Sequence, residues 1–172
     1  MKDIIIRRAE QADLDKIMKL MDEAIETVKV SEWFLPDDRQ YVSEHISDRG
    51  FTLKAVNSNN EILGFFIVDF PGNLKKNMGY DLNYDEDKRS KVAHMDYAVV
   101  TGKARGLGLQ RSFFEEAEKQ LKETPYEYFL GTVHPDNIYS RTNFLKAGYR
   151  EARQMSKYGG MPRIIMEKEK RV

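Results

Sequence analysis

Six consecutive residues, Arg105-Gly106-Leu107-Gly108-Leu109-Gln110, set two glycines and an arginine between the apolar run Met95 to Val100 and the amphipathic run Leu109 to Leu121. The pattern is that of a strand, a glycine turn and the first turn of a helix. Glycine admits left-handed backbone and lets a ligand come close to the main chain. The first N–H groups of the helix, unpaired and at the positive end of its dipole, favour an anion there. Phosphate is the natural guest, and Arg105 would add a forked cation. Taken alone, a two-glycine turn is more often a connector. It is neither a Walker loop, which needs Gly-Lys-Ser/Thr, nor a dinucleotide fingerprint, which needs a third glycine at a fixed offset.

Groups able to take a proton flank the same turn. His94 and Asp96 are two apart on the preceding strand, and share a face if it is regular there; His134 ends the next apolar run. Each also has a structural reading: Asp96 caps a bulge or pairs with a basic side chain, and His134 precedes a proline turn. There is no cysteine, which excludes thiol nucleophiles and disulfides, and no serine sits in a nucleophile-elbow pattern. The three histidines are scattered, so no metal site is expected.

The chain that must position these groups has 172 residues, one domain's worth over 1–172, and can bury about two-thirds of its unfolded surface. Lys plus Arg equal Asp plus Glu at 28 each, so no bulk basic footprint for nucleic acid is present. No stretch approaches the ~20 apolar residues of a membrane span, and charge interrupts the run Met1 to Arg8 too early for a signal peptide. A soluble cytoplasmic protein, with neither nucleic acid nor membrane as partner, is the expectation.

Ile4 to Arg8 reads as a first strand. Gln11-Ala12-Asp13 starts a helix whose apolar positions Leu14, Ile17, Met18, Met21, Ile25 and Val28 form a core stripe. An aromatic loop, Ser31 to Pro36, leads through Asp37-Asp38 into a second helix ending near Ser47. Phe51 to Asn57 and Ile62 to Phe70 form a hairpin around Ser58-Asn59-Asn60-Glu61. The segment Pro71 to Lys91 is long for a loop, which makes it either functional or disordered, and Tyr80 and Tyr84 could close it over a ligand. Val92 to Val100 is the strand before the glycine turn, and the helix after it buries Leu109, Phe113, Ala117 and Leu121. Tyr126 to Val133 is a further strand, Asn137 to Ala147 a short helix capped by Gly148, and Tyr149 to Lys157 with Arg163 to Lys168 a closing hairpin around Gly159-Gly160.

This order of elements resembles the GNAT superfamily of acetyl-coenzyme A dependent N-acetyltransferases over essentially the whole chain. Two motifs carry the likeness. The first, Val-x-x-x-x-Arg-Gly-x-Gly-x-Gly/Ala, is matched by Val100, Arg105, Gly106 and Gly108, with Gln110 in place of the last small residue. The second, Asn-x-x-Ala-x-x-x-Tyr-x-x-x-Gly-Phe, is matched by Asn137, Ser140, Phe144, Gly148 and Tyr149. The resemblance implies an α/β GNAT (acyl-CoA N-acyltransferase) fold, a mixed central sheet of about seven strands flanked by about four helices. It implies acetyl-CoA as cosubstrate. Main-chain groups of Ala98, Val99 and Val100 would pair with the pantetheine arm as with an added strand. The amides of Arg105, Gly106, Leu107, Gly108, Leu109 and Gln110 would hold the pyrophosphate, and Asn137 would bind the cofactor arm, with Ser140 and Phe144 beside it. The fourth and fifth strands would be splayed to open the cleft.

By the same resemblance the reaction is direct attack of a primary amine on the thioester, with a small-molecule acceptor favoured over a protein or peptide. Asp96 lies where many such enzymes have an acidic base; His94 is the next choice. A strand N–H at Val99 or Val100 would hold the oxyanion. Phe144 stands where the family usually has the tyrosine that protonates the departing thiolate, and Tyr139, one turn earlier, is a substitute. Without such an acid, turnover need not stop, since a thiolate of pKa about 8.5 is a tolerable leaving group; a non-catalytic acyl-CoA-binding module is the other reading of Phe144. Acidic and aromatic residues at Trp33, Asp37, Asp38, Tyr80, Asp81, Tyr84, Asp85 and Glu86 would suit a cationic amine, or are simply core and solvated face. The closing hairpin either borders the acceptor side or pairs with a second copy in a homodimer.

Overall fold

The computed structural model describes residues 3–171; Met1 and Lys2 of the N-terminal run, and Val172, lie outside the described residues. Seven strands form one sheet in the order β1-β2-β3-β4-β5-β7-β6. They are β1 (Ile5–Arg8), β2 (Gly50–Val56), β3 (Ile62–Asp69), β4 (Val92–Val100), β5 (Tyr128–Val133), β6 (Arg150–Lys157) and β7 (Met161–Glu169). All neighbours are antiparallel except β4 and β5, which run parallel. The mixed α/β sheet is therefore the expected one.

β2 and β3 are buried along their whole length, because helices cover both faces. On one face α1 (Leu14–Thr27) and α2 (Arg39–Ser47) pack Ile17, Met21 and Val42 against Phe65, Ile67 and Val99. On the other, α4 (Leu109–Leu121) packs Phe113, Phe114 and Ala117 against Phe66, Val68 and Met95. Asp38 caps α2 by accepting from the Tyr41 N–H at 2.9 Å, which fixes where that helix starts. α5 (Ile138–Lys146) is capped by the Asn137 side chain and closed by Gly148 at φ 89°.

Three expectations need correction. The apolar stripe of α1 is narrower than expected: Leu14, Ile17 and Met21 are buried, but Ile25 is exposed. The segment 71–91 is neither disordered nor a lid. It carries a short helix, α3 (Glu86–Ser90), and buries Met78 and Tyr84 against Val92, Leu130 and Ile165. Tyr84 donates its hydroxyl to Glu167, and Tyr80 donates to the Asn73 carbonyl at 3.2 Å, so neither tyrosine faces the cleft described below. Buried Asn77 holds the segment together by donating to the carbonyls of Gly72 and Arg89. Among the described residues no helix is long and apolar enough to cross a membrane, and no group of three or more metal-binding side chains assembles.

Candidate active site

β4 and β5 pair only over Val92–Tyr128, Ala93–Phe129 and His94–Leu130, then part. Beyond His94 the β5-facing edge of β4 has no strand partner, and a cavity of about 550 Å³ opens in the gap. It passes through the sheet. One side is walled by Met95, Phe66 and Phe114, the other by Trp33, Phe34 and Tyr97, with Ala98, Val99 and Val100 along the β4 edge. Phe144 lines it too, buried against Phe114 and Tyr149 at ring distances of 4.7 and 5.1 Å. Gly131 admits that ring: a Cβ there would lie 2.7 Å from the tip of Phe144 and 2.9 Å from the Met95 carbonyl oxygen.

At one end of the cavity lies the glycine turn. Gly106 and Gly108 have φ of 80° and 73°, the left-handed region that favours glycine, and Gly108 is the residue at which α4 begins. Added Cβ atoms at either would meet nothing within 4 Å. Glycine is thus required by backbone shape. The N–H groups of Arg105 and Leu107 bond back to Gly102 and Ala104, whereas the first N–H groups of α4 have no partner inside the helix. Lys29, from the end of α1, and Arg105 bring two cations to the same end. Gln110, the departure from the family pattern, donates to Ser140 at 2.9 Å and accepts from Asn143 at 2.8 Å. Its amide thereby ties α4 to α5. Asn137 and Ser140 also line the cavity; Tyr139 does so with a largely exposed ring.

At the other end stands Asp96. The β3–β4 register skips one residue there: Ile67 faces Tyr97 and Val68 faces Met95, so Asp96 is the extra residue of a β-bulge. The bulge aims its carboxylate at α2, where the Tyr41 hydroxyl donates to Oδ2 at 2.6 Å. Burial pushes Asp96 up to about 7; the Tyr41 hydrogen bond opposes the rise and the charges of Asp37 and Asp69 add to it. His94 faces α2 as well, but its ring is enclosed. Nδ1 lies 3.3 Å from Asp69, Nε2 accepts the Met78 N–H at 3.1 Å, and burial lowers its pKa. It lines no part of the cavity, so the structure separates the two groups that their spacing had put together. His134 is likewise enclosed: Nδ1 accepts from the Asp136 N–H and Nε2 lies 3.7 Å from Glu32.

Around Asp96 are two groups that sequence reading passed over, Tyr41 and Thr132, and Tyr158 and Arg163 come from the closing hairpin expected to border the acceptor side. Thr132 on β5 faces the gap and hydrogen-bonds the Tyr158 hydroxyl at 3.2 Å. Tyr158 sits at φ 52° in the β6–β7 turn, an uncommon backbone for a tyrosine. Arg163 on β7 donates to the Glu32 carbonyl, which fastens the aromatic loop over the cavity mouth. One signal for this cluster was legible: Asp69 ends an otherwise apolar buried run, and buried acids need partners.

Comparison with solved structures settles the architecture. The chain matches yncA of Salmonella typhimurium, assigned as an acetyltransferase and solved with its cofactor acetyl-CoA, at a TM-score of 0.75 and 14 % identity, covering 99 % of this chain and 96 % of that one. It has the GNAT fold. A GNAT superfamily phosphinothricin acetyltransferase from Sinorhizobium meliloti, in complex with acetyl-CoA, matches at 0.72 with 14 % identity over 97 % and 88 % of the two chains. The ribosomal-protein-S18-alanine N-acetyltransferase of Escherichia coli matches at 0.69 with 15 % identity over 98 % and 95 %. No protein-family model matches the chain, and no curated protein does by sequence.

Proposed function

We propose that the protein is an N-acetyltransferase that moves an acetyl group from acetyl-CoA to a small primary amine. The observation that carries this reading is one continuous cavity with a phosphate-type cradle at one end and a carboxylate of pKa about 7 at the other. Two of the structures with this fold contain acetyl-CoA. The residues present suit that ligand. An unpartnered strand edge at Ala98 to Val100 can pair with an amide-bearing arm, and Gly106, Gly108, Lys29, Arg105 and the start of α4 suit a pyrophosphate.

Acetyl-CoA supplies a thioester carbon open to attack. The incoming amine is overwhelmingly protonated at neutral pH and must lose that proton. Asp96, poised near 7, takes it, directly or through water. A β4 N–H at Val99 or Val100 holds the developing oxyanion. The new C–N bond forms, the C–S bond breaks, and the thiol leaves as thiolate or is protonated by Tyr139 or solvent. The aromatic loop is fastened to β7 by the hydrogen bond that Arg163 donates to the Glu32 carbonyl.

Phe144 favours a second reading, a module that holds acyl-CoA without turnover. Calorimetric titration with acetyl-CoA and with coenzyme A, followed by thiol-release assays with a panel of amines, separates the two. Micromolar binding with amine-dependent thiol release supports the enzyme; binding without release under any amine supports the module; no binding at millimolar ligand removes both.

A further inference from the structure

The chemistry proposed above rests on Asp96, yet what holds Asp96 lies on another element. Tyr41, in the first turn of α2, donates its hydroxyl to Asp96 Oδ2 at 2.6 Å. Its ring is stacked on His45 at 3.9 Å, with the Lys76 ammonium 5.1 Å from the ring centre. His45 is immobilised twice over, hydrogen-bonded through Nδ1 to the Tyr41 carbonyl and through Nε2 to Asp69, each at 2.7 Å. Asp69 is nearly inaccessible and also accepts from Lys76 at 3.0 Å. Burial alone would raise Asp69, but the hydrogen bonds from His45, His94 and Lys76 outweigh it and hold the carboxyl well below the usual range. Asp69 therefore stays ionised across the neutral range and keeps accepting from these groups.

We propose that Tyr41 is a positioning residue for the base: held by His45, which Asp69 in turn anchors, it fixes the Asp96 carboxylate at the cavity wall and favours its charged form. This rests on the N-acetyltransferase reading for its meaning in turnover, while the effect on Asp96 itself does not.

The geometry makes the clamp directional. A bulged residue lacks a ladder partner, and Asp96 has no ion pair among the described residues; the Tyr41 hydroxyl is the group that orients it. The other charged or titratable groups acting on Asp96 are Asp37 before α2, His45 on α2 and Asp69 on β3, with Tyr97 on β4 and Tyr158 on the β6–β7 turn also within its field. Tyr41 is held protonated by burial and by the Asp96 charge, so it remains a donor at any working pH.

Tyr41→Phe keeps the ring and its stacking on His45 and deletes only the hydroxyl. The Asp96 carboxyl midpoint, followed by carbon NMR in the free protein and assigned with Asp96→Asn, is expected to rise by about one pH unit, the scale of one hydrogen bond to a charged group. In the thiol-release assay the acid limb of kcat/KM should move up with it, giving about a tenfold loss at pH 6 that recovers above pH 8. A residue that merely supported the fold would lower the rate at all pH values. An unchanged Asp96 midpoint overturns the proposal whether or not any amine is acetylated, and a loss of rate that does not recover at high pH overturns it too. Absence of turnover in the unaltered protein would count against the enzyme reading alone, leaving the NMR midpoint to decide the role of Tyr41.

Discussion

The two ends of the cavity are built in opposite ways. The cradle end is main chain: two glycines in left-handed conformation, the opening N–H groups of α4, and the free edge of β4. The end around Asp96 is side chain, drawn from five places far apart in sequence, namely Tyr41 and His45 on α2, Asp69 on β3, Asp96 on β4, Thr132 on β5 and Tyr158 in the β6–β7 turn. A backbone site is local and tolerates change in side chains around it. A side-chain site is tuned by burial and neighbours, and a single atom can shift it. The two ends should therefore fail differently, one in cofactor affinity and the other in rate and its pH dependence.

The sharpest test of that division is Asp96→Asn. Removing a general base is expected to lower kcat by roughly 10²–10⁴-fold while the Kd for acetyl-CoA, read by calorimetry, stays within twofold. Comparable turnover in the variant would move the base elsewhere, and a large rise in Kd would show that the two ends are not separate. The pH profile of the unaltered protein comes next. The proposed base Asp96 would work unprotonated, so kcat/KM should fall about tenfold per pH unit below a midpoint near 7. A profile flat down to pH 5 would deny Asp96 the role.

At the cradle end the corresponding change is Gly108→Ala. A Cβ meets nothing there, but φ of 73° costs about 1–2 kcal/mol for a side-chain-bearing residue. The turn relieves that strain by rotating its peptides, and the α4 amides lose their aim. The expected result is a Kd for acetyl-CoA about tenfold higher, with kcat at saturating cofactor little changed. A fall in kcat at unchanged Kd would contradict the division.

The same contrast explains what could be read beforehand. Strand and helix periodicity, the cap at Asp38 and the glycine turn are local signals, and the sheet, the hairpins and α4 follow them within a residue or two. Asp96 is preferred to His94 only through the family resemblance, and the structure places it on the cavity wall. What could not be read was everything set by distance in sequence. His94 and Asp96 look equivalent as neighbours on a strand, and differ because Asp69 and Met78 take up the His94 ring while the bulge sets the Asp96 carboxylate at the cavity wall beside Tyr41. Tyr84 looked like a lid residue because polar neighbours surround it in sequence; in the fold, Val92, Leu130 and Ile165 surround it instead. Tyr41 carried no local mark at all, since its partner lies on another element.

Gln110 tests the boundary between the two kinds of site with the smallest change. By sequence it replaces a small residue beside the phosphate cradle, which invites a direct contact with phosphate. In the structure both ends of its amide are committed to α5, donating to Ser140 and accepting from Asn143, whose own side chain is buried. Gln110→Ala restores the small residue and leaves the buried Asn143 amide short of a partner, a loss of about 1–3 kcal/mol. At roughly 2–4 °C per kcal/mol for a chain of this size, the melting midpoint should drop by several degrees. The Kd for acetyl-CoA should stay within twofold, because the cradle is made of N–H groups that the substitution keeps. A Kd that rises tenfold with an unchanged melting point would mean that the glutamine amide turns from α5 to the ligand, and that this end of the cavity also reads its guest through a side chain.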